Sequence, residues 1–249
     1  MHPAAPLFEG WRQPMIRAAL EGAFGRVMTN RGRPRAALLD VGDFLFLAGL
    51  LPEAEALLKE WRGANSGFRL LVPCTDGCEE LIRKLFGADT PKAARCSFCR
   101  NDEAFDRSSL ERIADDVPQG VTVVPIGQEL YEKALGNSWS RDWCSCFRSA
   151  QDYLSRGVGF AALHRGELIG GASSYLSCSD GIEIQVDTRS DWRRRGIAAA
   201  CSARLILHCL QRGVHPGWDA ANPASAALAQ KLGYLPAGEY TAWLINTHG

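Results

Sequence analysis

The 249-residue chain is 46% hydrophobic and 22% charged, the makeup of a globular protein long enough to bury a substantial core as one large domain or two small ones. Its 28 basic residues are balanced by 28 acidic ones, which gives no support to a nucleic-acid or membrane-surface partner, so any attraction for anions has to be local. The opening MHPAAPLFEGWRQP lacks the charged start and apolar middle of a secretory signal, no apolar run of about 18 residues follows, and a cytoplasmic location is expected, with most of the nine cysteines read as small buried thiols.

In chain order, AALLD and DFLFLAG alternate around Gly42 and Asp43 as a hairpin. PEAEALLKEW then reads as a helix and GFRLLVP as a strand. Asp76 with Glu79 has the spacing of a capping box for the helix CEELIRKLF, which Gly87 would close. Residues 94–100 offer one more short strand. The polar stretch NDEAFDRSSLERIADDVPQG, residues 101–120, is the expected seam between domains at 1–118 and 119–249.

After the seam, VTVVPI is a strand, and Trp143, Phe147, Ala150 and Leu154 recur at helical spacing between Ser140 and Arg156, with Gly157 as the stop. VGFAALH and ELIGGASSYLS form a long hairpin around Arg165 and Gly166. IEIQVDT alternates strictly, with Ile182, Ile184 and Val186 on one face and Glu183, Gln185 and Asp187 on the other. An arginine-rich loop and a helix from about Ile197 to Arg212 come next, with His208 on its polar stripe. GVHPGWDA supplies a strand, Asn222 caps a helix opened by Pro223 and stopped by Gly233, and EYTAWLI is the final strand.

DWRRRGIAAA crowds Arg193, Arg194 and Arg195 before a helix, where their charges repel unless something anionic sits there. The first turn of a helix leaves amides unpaired and its dipole favours negative charge. Gly196 lets the backbone approach a phosphate closely, and small Ala198 keeps bulk off the same surface. The bare pattern Arg193-x-x-Gly196-x-Ala198 is weak, and its strand–loop–helix context sharpens it. The competing reading is a solvated basic turn.

VDTRSDWRRRGIA, followed one helix and one strand later by WDAANPASAALAQKLGY, resembles the acyl-CoA site of the GNAT superfamily of N-acetyltransferases, from roughly Val121 onward. The resemblance is closest to the branch containing zwittermicin A resistance-type acetyltransferases, which carry an extra N-terminal domain. It implies a mixed, mainly antiparallel α/β sheet with helices on both faces, preceded by a smaller α/β domain. That first half partly echoes the second and is a candidate degenerate copy that lost the cofactor loop.

The resemblance also implies acetyl-CoA as co-substrate and no metal. The backbone of Ile184, Gln185 and Val186 would run along the pantetheine, with the Val186 N–H as an oxyanion donor. Arg193, Arg194, Arg195, Gly196, Ile197 and Ala198 would hold the pyrophosphate, and Asn222 and Ser225 would approach the far side of the arm. Many members place a tyrosine in the last helix to protonate the leaving thiolate; the matching position here is Ala229. Glu183 is the first candidate for the general base and Asp219 the second, with Asp180 and Tyr234 in reserve. The expected acceptor is a small-molecule amine, with no nucleic acid and no membrane, in a monomer or homodimer. The rival from another class is a non-catalytic acyl-CoA-binding sensor.

Two weaker signals remain. Cys74, Cys78, Cys96 and Cys99 have knuckle-like spacing, but a strand over 94–100 would point Cys96 and Cys99 to opposite faces, which argues against zinc. Trp139, Trp143 and Trp218 could line an amine pocket, although aromatics at such spacing are more often core.

Overall fold

The computed structural model describes residues 2–30 and 32–247. Its elements are α1 (Pro14–Leu20), β1 (Arg26–Thr29), β2 (Ala36–Val41), β3 (Phe44–Gly49), α2 (Leu51–Ala64), β4 (Gly67–Pro73), α3 (Cys78–Phe86), β5 (Lys92–Phe98) and α4 (Arg107–Asp115). They continue with β6 (Val121–Pro125), α5 (Gln128–Gly136), α6 (Ala150–Arg156), β7 (Gly159–His164), β8 (Glu167–Cys178), β9 (Gly181–Thr188) and α7 (Ile197–Gln211). The last are β10 (His215–Gly217), β11 (Asp219–Ala220), α8 (Pro223–Lys231) and β12 (Pro236–Thr247). Among the described residues no helix is long and apolar enough to cross a membrane.

Two compact units divide the chain, Met1–Cys96 with Gly238–Gly249, and Ser97–Ala237. The packing therefore does not part at residue 118. The polar stretch taken for a seam is amphipathic: Phe105, Leu110 and Ala114 are buried, and α4 packs along α7. The last strand also changes company, because β12 pairs antiparallel with β4 from Trp243↔Leu71 to Thr247↔Gly67 and so belongs chiefly to the first unit.

In the first unit the strand order is β1-β2-β3-β4-β12-β5. The hairpin of β2 and β3 is antiparallel, and β4 returns parallel to β3 after α2. Leu38, Leu45, Leu47 and Leu71 of this sheet meet Leu57, Leu58 and Trp61 of α2 in one buried core. Beneath it, Asp40 accepts hydrogen bonds from Trp61 Nε1 at 2.9 Å and Arg26 Nη2 at 2.9 Å, so a buried carboxylate is neutralised and pins strand to helix. The capping box does not form. Gly77, at φ +82°, stands at the N-cap of α3 with no side-chain cap, since a left-handed residue turns the chain into the helix instead of Asp76.

In the second unit the sheet runs β10-β9-β8-β7-β6, antiparallel throughout except for the parallel β9–β10 pair. The helix expected over Ser140–Arg156 is broken. A 3-10 turn at Arg141–Trp143 drops Trp143 onto the sheet, and α6 starts afresh where Ser149 accepts the Asp152 N–H at 3.1 Å; Leu154 is left exposed. The Arg165–Gly166 hairpin is present with both residues left-handed, the twist a tight antiparallel turn needs. His208 is half-buried with its ring against Phe160. The stretch GVHPGWDA does not make a single strand: β10 ends at Gly217, and β11 does not continue beside β9.

Candidate active site

That break opens the sheet. β9 and β10 pair as His215↔Gly181, Pro216↔Ile182 and Gly217↔Glu183, and there the pairing ends. β9 runs on to Thr188, held on its other side by β8 as far as Gly170↔Thr188, so the edge from Ile184 to Thr188 faces away from any β10 partner. Trp218 explains the departure. Its indole Nε1 donates to Ser225 Oγ at 3.1 Å and its ring packs on Tyr234 at 5.5 Å, tying the chain to α8 rather than to β9. The Tyr234 hydroxyl donates to Pro216 O at 2.7 Å, holding β10 in place up to the fork.

The wedge points toward the start of α7. Arg193 is extended, Arg194 takes the left-handed conformation at φ +63°, and Gly196 at φ +81° is the N-cap. A non-glycine residue at positive φ costs about 1 kcal/mol or more, so the loop holds Arg194 against its backbone preference. The first amide to bond back is that of Ala200, to Gly196 O at 3.0 Å, which leaves the amides before it at the open, positive end of a 15-residue helix. Arg193, Arg194, Arg195 and Gly196 are exposed, Ala198 is half-buried, and Ile197 is buried as the first anchor of the helix. Arg193 Nε donates to Thr188 O at 3.1 Å and the Arg195 guanidinium lies 4.8 Å from the Trp192 ring centroid, so two of the three arginines are steadied at the mouth.

Glu183 occupies the last paired position, across from Gly217. It is 4% exposed. Asp219 is half-buried on β11. Of the reserves, Asp180 is held in an ion pair by Arg100 at 2.8 Å, and Tyr234 has its hydroxyl pushed well above the usual phenol range, by burial first and by the charges of Cys209, Glu183 and Asp102 after it. Tyr234 therefore stays protonated and is unsuited to the work of a base.

Asn222 and Ser225 have structural duties: Asn222 Oδ1 accepts the Ser225 N–H at 2.9 Å as the cap of α8, and Ser225 Oγ anchors Trp218. Ala229 is fully buried, its carbonyl accepting the N–H of Tyr234 at 3.1 Å. Of the nine cysteines, Cys78, Cys144, Cys201 and Cys209 are buried and the other five are partly or fully exposed. Burial pushes Cys144, Cys201 and Cys209 each up to about 12, far from the thiolate that nucleophilic chemistry needs. Among the described residues no group of three or more His, Cys, Asp or Glu could hold a metal ion.

Alternation places Gln185 and Asp187 on the Glu183 face of β9, and the structure brings Trp143 there as well. The strand pattern already marked Asp187; the turn that delivers Trp143 was not visible in the sequence.

The profile of the GNAT acetyltransferase family matches residues 5–243, and so spans both units. A GCN5-related N-acetyltransferase-like protein from Streptococcus suis is 38% identical, superposes with a TM-score of 0.89, and is covered over 96% of each chain. A tandem GNAT protein from the clavulanic acid biosynthesis pathway is 16% identical with a TM-score of 0.58 over 90% of this chain and 82% of that one, a likeness of fold. The curated relative YdfB of Bacillus subtilis, an uncharacterized N-acetyltransferase, is 24% identical over 177 residues, 70% of this chain but only 64% of that protein's length. The chain belongs to the GNAT acetyltransferase family.

Proposed function

We propose that the protein is an N-acetyltransferase that moves an acetyl group from acetyl-CoA to a primary amine of a small molecule, by direct transfer in a ternary complex. The observation that carries this reading is the β9–β10 pairing that ends at Gly217↔Glu183, ahead of an open helix start flanked by three exposed arginines. In this reading the amides from Arg194 through Ile197 to Ala198 hold the diphosphate, and the side chains of Arg193, Arg194 and Arg195 add charge-assisted contacts. The free edge at Ile184, Gln185 and Val186 lies along the pantetheine, and Asn222 and Ser225 border its far side. Gly196 fits this task, being exposed and left-handed where a side chain would be strained.

Bound acetyl-CoA supplies an acyl group already activated as a thioester. The Val186 N–H stabilises negative charge developing on the thioester oxygen. Glu183 accepts the proton that the acceptor ammonium must lose, a cost of about 4 kcal/mol near neutral pH for a pKa of about 10.4; the amine nitrogen then forms the amide bond as the carbon–sulfur bond breaks. A departing thiol of pKa about 8.5 needs little help, so Ala229 in place of a phenol is tolerable. Asp219 is the second candidate base.

The first unit is read as a degenerate copy of the same fold, supported by its hairpin, helix and parallel return strand, and kinship with the zwittermicin A resistance-type branch belongs to the same proposal. Ala229 favours one other reading, a sensor that binds acyl-CoA without turnover.

Thermal denaturation with acetyl-CoA, CoA, ATP and NAD tests the assignment. A ligand at about 100 times its Kd adds about 2.7 kcal/mol, and acetyl-CoA and CoA are expected to give that rise while ATP and NAD do not. Replacing all three arginines by alanine should weaken acetyl-CoA binding about 10- to 100-fold, the loss of one or two charge-assisted contacts. A melting curve unmoved by acetyl-CoA rejects the reading; binding without thiol release from any amine leaves the sensor.

A further inference from the structure

A base that takes up a proton at every turnover has to release it before the next, and both carboxylate oxygens of Glu183 are shielded from solvent. The pairing of β9 with β10 sets one titratable group beside it. Partners on parallel strands send their side chains to one face, so His215 stands next to Gly181, and a Cβ built on Gly181 would lie 3.5 Å from His215 Cβ. Glu183, two residues on, shares that face, across from Gly217. His215 and Glu183 therefore hold opposite corners of a rectangle whose other corners, Gly181 and Gly217, carry no side chain. At ordinary strand rise and spacing the diagonal is about 8 Å between Cβ atoms, within reach of the two side chains directly or through one water.

One ring nitrogen of that imidazole is already engaged. His215 Nδ1 donates to Asp102 Oδ1 at 2.5 Å; the His215 side chain is 7% exposed and that of Asp102 37%, so the pair runs from the interior to water. The backbone is fixed as well, with the His215 N–H donating to Asp180 O at 2.9 Å and Asp180 held by Arg100. The neighbouring groups keep their protons near neutral pH. Burial first, then the charges of Cys209, Glu183 and Asp102, raises the Tyr234 hydroxyl well above the phenol range, and burial first pushes Cys209 up to about 12, with Asp102 adding to it and Arg212 opposing. Cys178 donates its thiol to Gly181 O at 3.4 Å. Imidazole is the side chain whose ordinary charge change falls closest to neutral pH, and a carboxylate on its Nδ1 fixes the ring and stabilises the imidazolium.

We propose that His215, oriented by Asp102, is the proton relay that resets Glu183 between turnovers. The inference rests on the acetyl-transfer reading and adds a positioning residue to it. Once Glu183 has taken the ammonium proton, its carboxylic acid passes that proton to His215 Nε2 and is again a carboxylate. The imidazolium, held by the Asp102 carboxylate, then loses a proton to water at the exposed end of the pair, and the neutral ring is restored. One proton enters, one leaves, and no bond between heavier atoms changes. His215 acts through Glu183 alone, so its loss slows the reset without disturbing the grip on acetyl-CoA.

The test is a double-mutant cycle on His215 and Glu183, read by thiol release at saturating amine and by calorimetric titration of acetyl-CoA. His215→Gln is expected to lower kcat about tenfold or more near neutral pH with acetyl-CoA affinity within about twofold, and added imidazole should restore part of the lost rate. In a Glu183→Gln background the same replacement should change kcat by less than about twofold, because the step it serves is already gone. Asp102→Asn, at a partly exposed side chain, should lower kcat severalfold with the same response to imidazole, and it decides the matter if His215→Gln fails to fold. An unchanged kcat, a loss that imidazole does not relieve, or equal losses in the two backgrounds overturns the inference while acetyl-CoA binding and turnover still stand. Full activity of Glu183→Gln overturns it too and leaves the transfer reading in place. No thiol release from any amine overturns it along with that reading.

Discussion

The segment β3–α2–β4 of the first unit and the segment β9–α7–β10 of the second have one topology, a hairpin strand, a helix and a parallel return strand, and opposite uses. In the first, β3 passes into α2 through Leu50 alone, and the strands stay zipped from Phe44↔Leu70 to Leu47↔Pro73, with Cys74 N–H still reaching Leu47 O at 2.8 Å. In the second, the link is long enough for a 3-10 turn and three arginines, and the zip stops at Gly217↔Glu183. The closed version buries leucines and Trp61; the open version exposes a strand edge and a helix start. One βαβ frame closes into core or opens along one strand edge according to the length of its crossover and where the last backbone pair forms.

The largest effect that would sharpen this contrast is expected from Glu183→Gln at the fork. On the proposed role of Glu183 as general base, kcat should fall by about 10²- to 10⁴-fold while calorimetry finds acetyl-CoA affinity little changed. A kcat within threefold of the unmodified protein would transfer the role to Asp219.

Next comes the closed region. Gly49 ends β3 at φ +108°, and a Cβ there would run into Arg35 O and Ala36 Cα. Gly49→Ala should cost about 2–4 kcal/mol, read as a lower denaturant midpoint, while the acetyl-CoA-induced rise in melting temperature persists. Loss of that rise in a protein that remains folded would break the division of labour between the two segments.

The smallest effect concerns Asp187. Because burial raises its folded pKa, folding favours the protonated form, and the group's contribution to stability declines as pH rises from the ordinary carboxylate range through the raised folded value. Asp187→Asn removes that penalty, so the variant should melt about 1–2 °C higher near neutral pH, with the gain disappearing in acid. A variant that melts lower at neutral pH would mean the carboxylate serves the fold.

Much of this was legible in the chain itself. Short apolar runs marked β2, β3 and β4, and two-residue alternation marked β9 and placed Glu183, Gln185 and Asp187 on one face. Asn222 before Pro223 announced the cap of α8, and the arginine cluster before Gly196 marked the open end of α7. Local signals of this kind depend on residues a few positions apart, and so they survive in a sequence read alone.

Other features depended on distant partners. The stretch 101–120 read as a linker because its polar face dominates its composition, and only the fold reveals that α4, with buried Leu110 and Ala114, packs along α7 while Phe105 meets the Tyr234 ring. Aromatic spacing over Ser140–Arg156 suggested one helix, yet the Trp143 ring needed the flat surface at Gly171 and broke it. The sequence by itself determined many of the strands, the helices α2, α3, α7 and α8, the arginine-flanked start of α7 and the polar face of β9, because backbone periodicity and helix-end chemistry are written locally. Tertiary structure alone decided where β10 leaves β9, that β12 joins the sheet of the first unit, and which groups bury Asp187. Those are outcomes of pairing and packing between residues far apart in the chain, which no local pattern encodes.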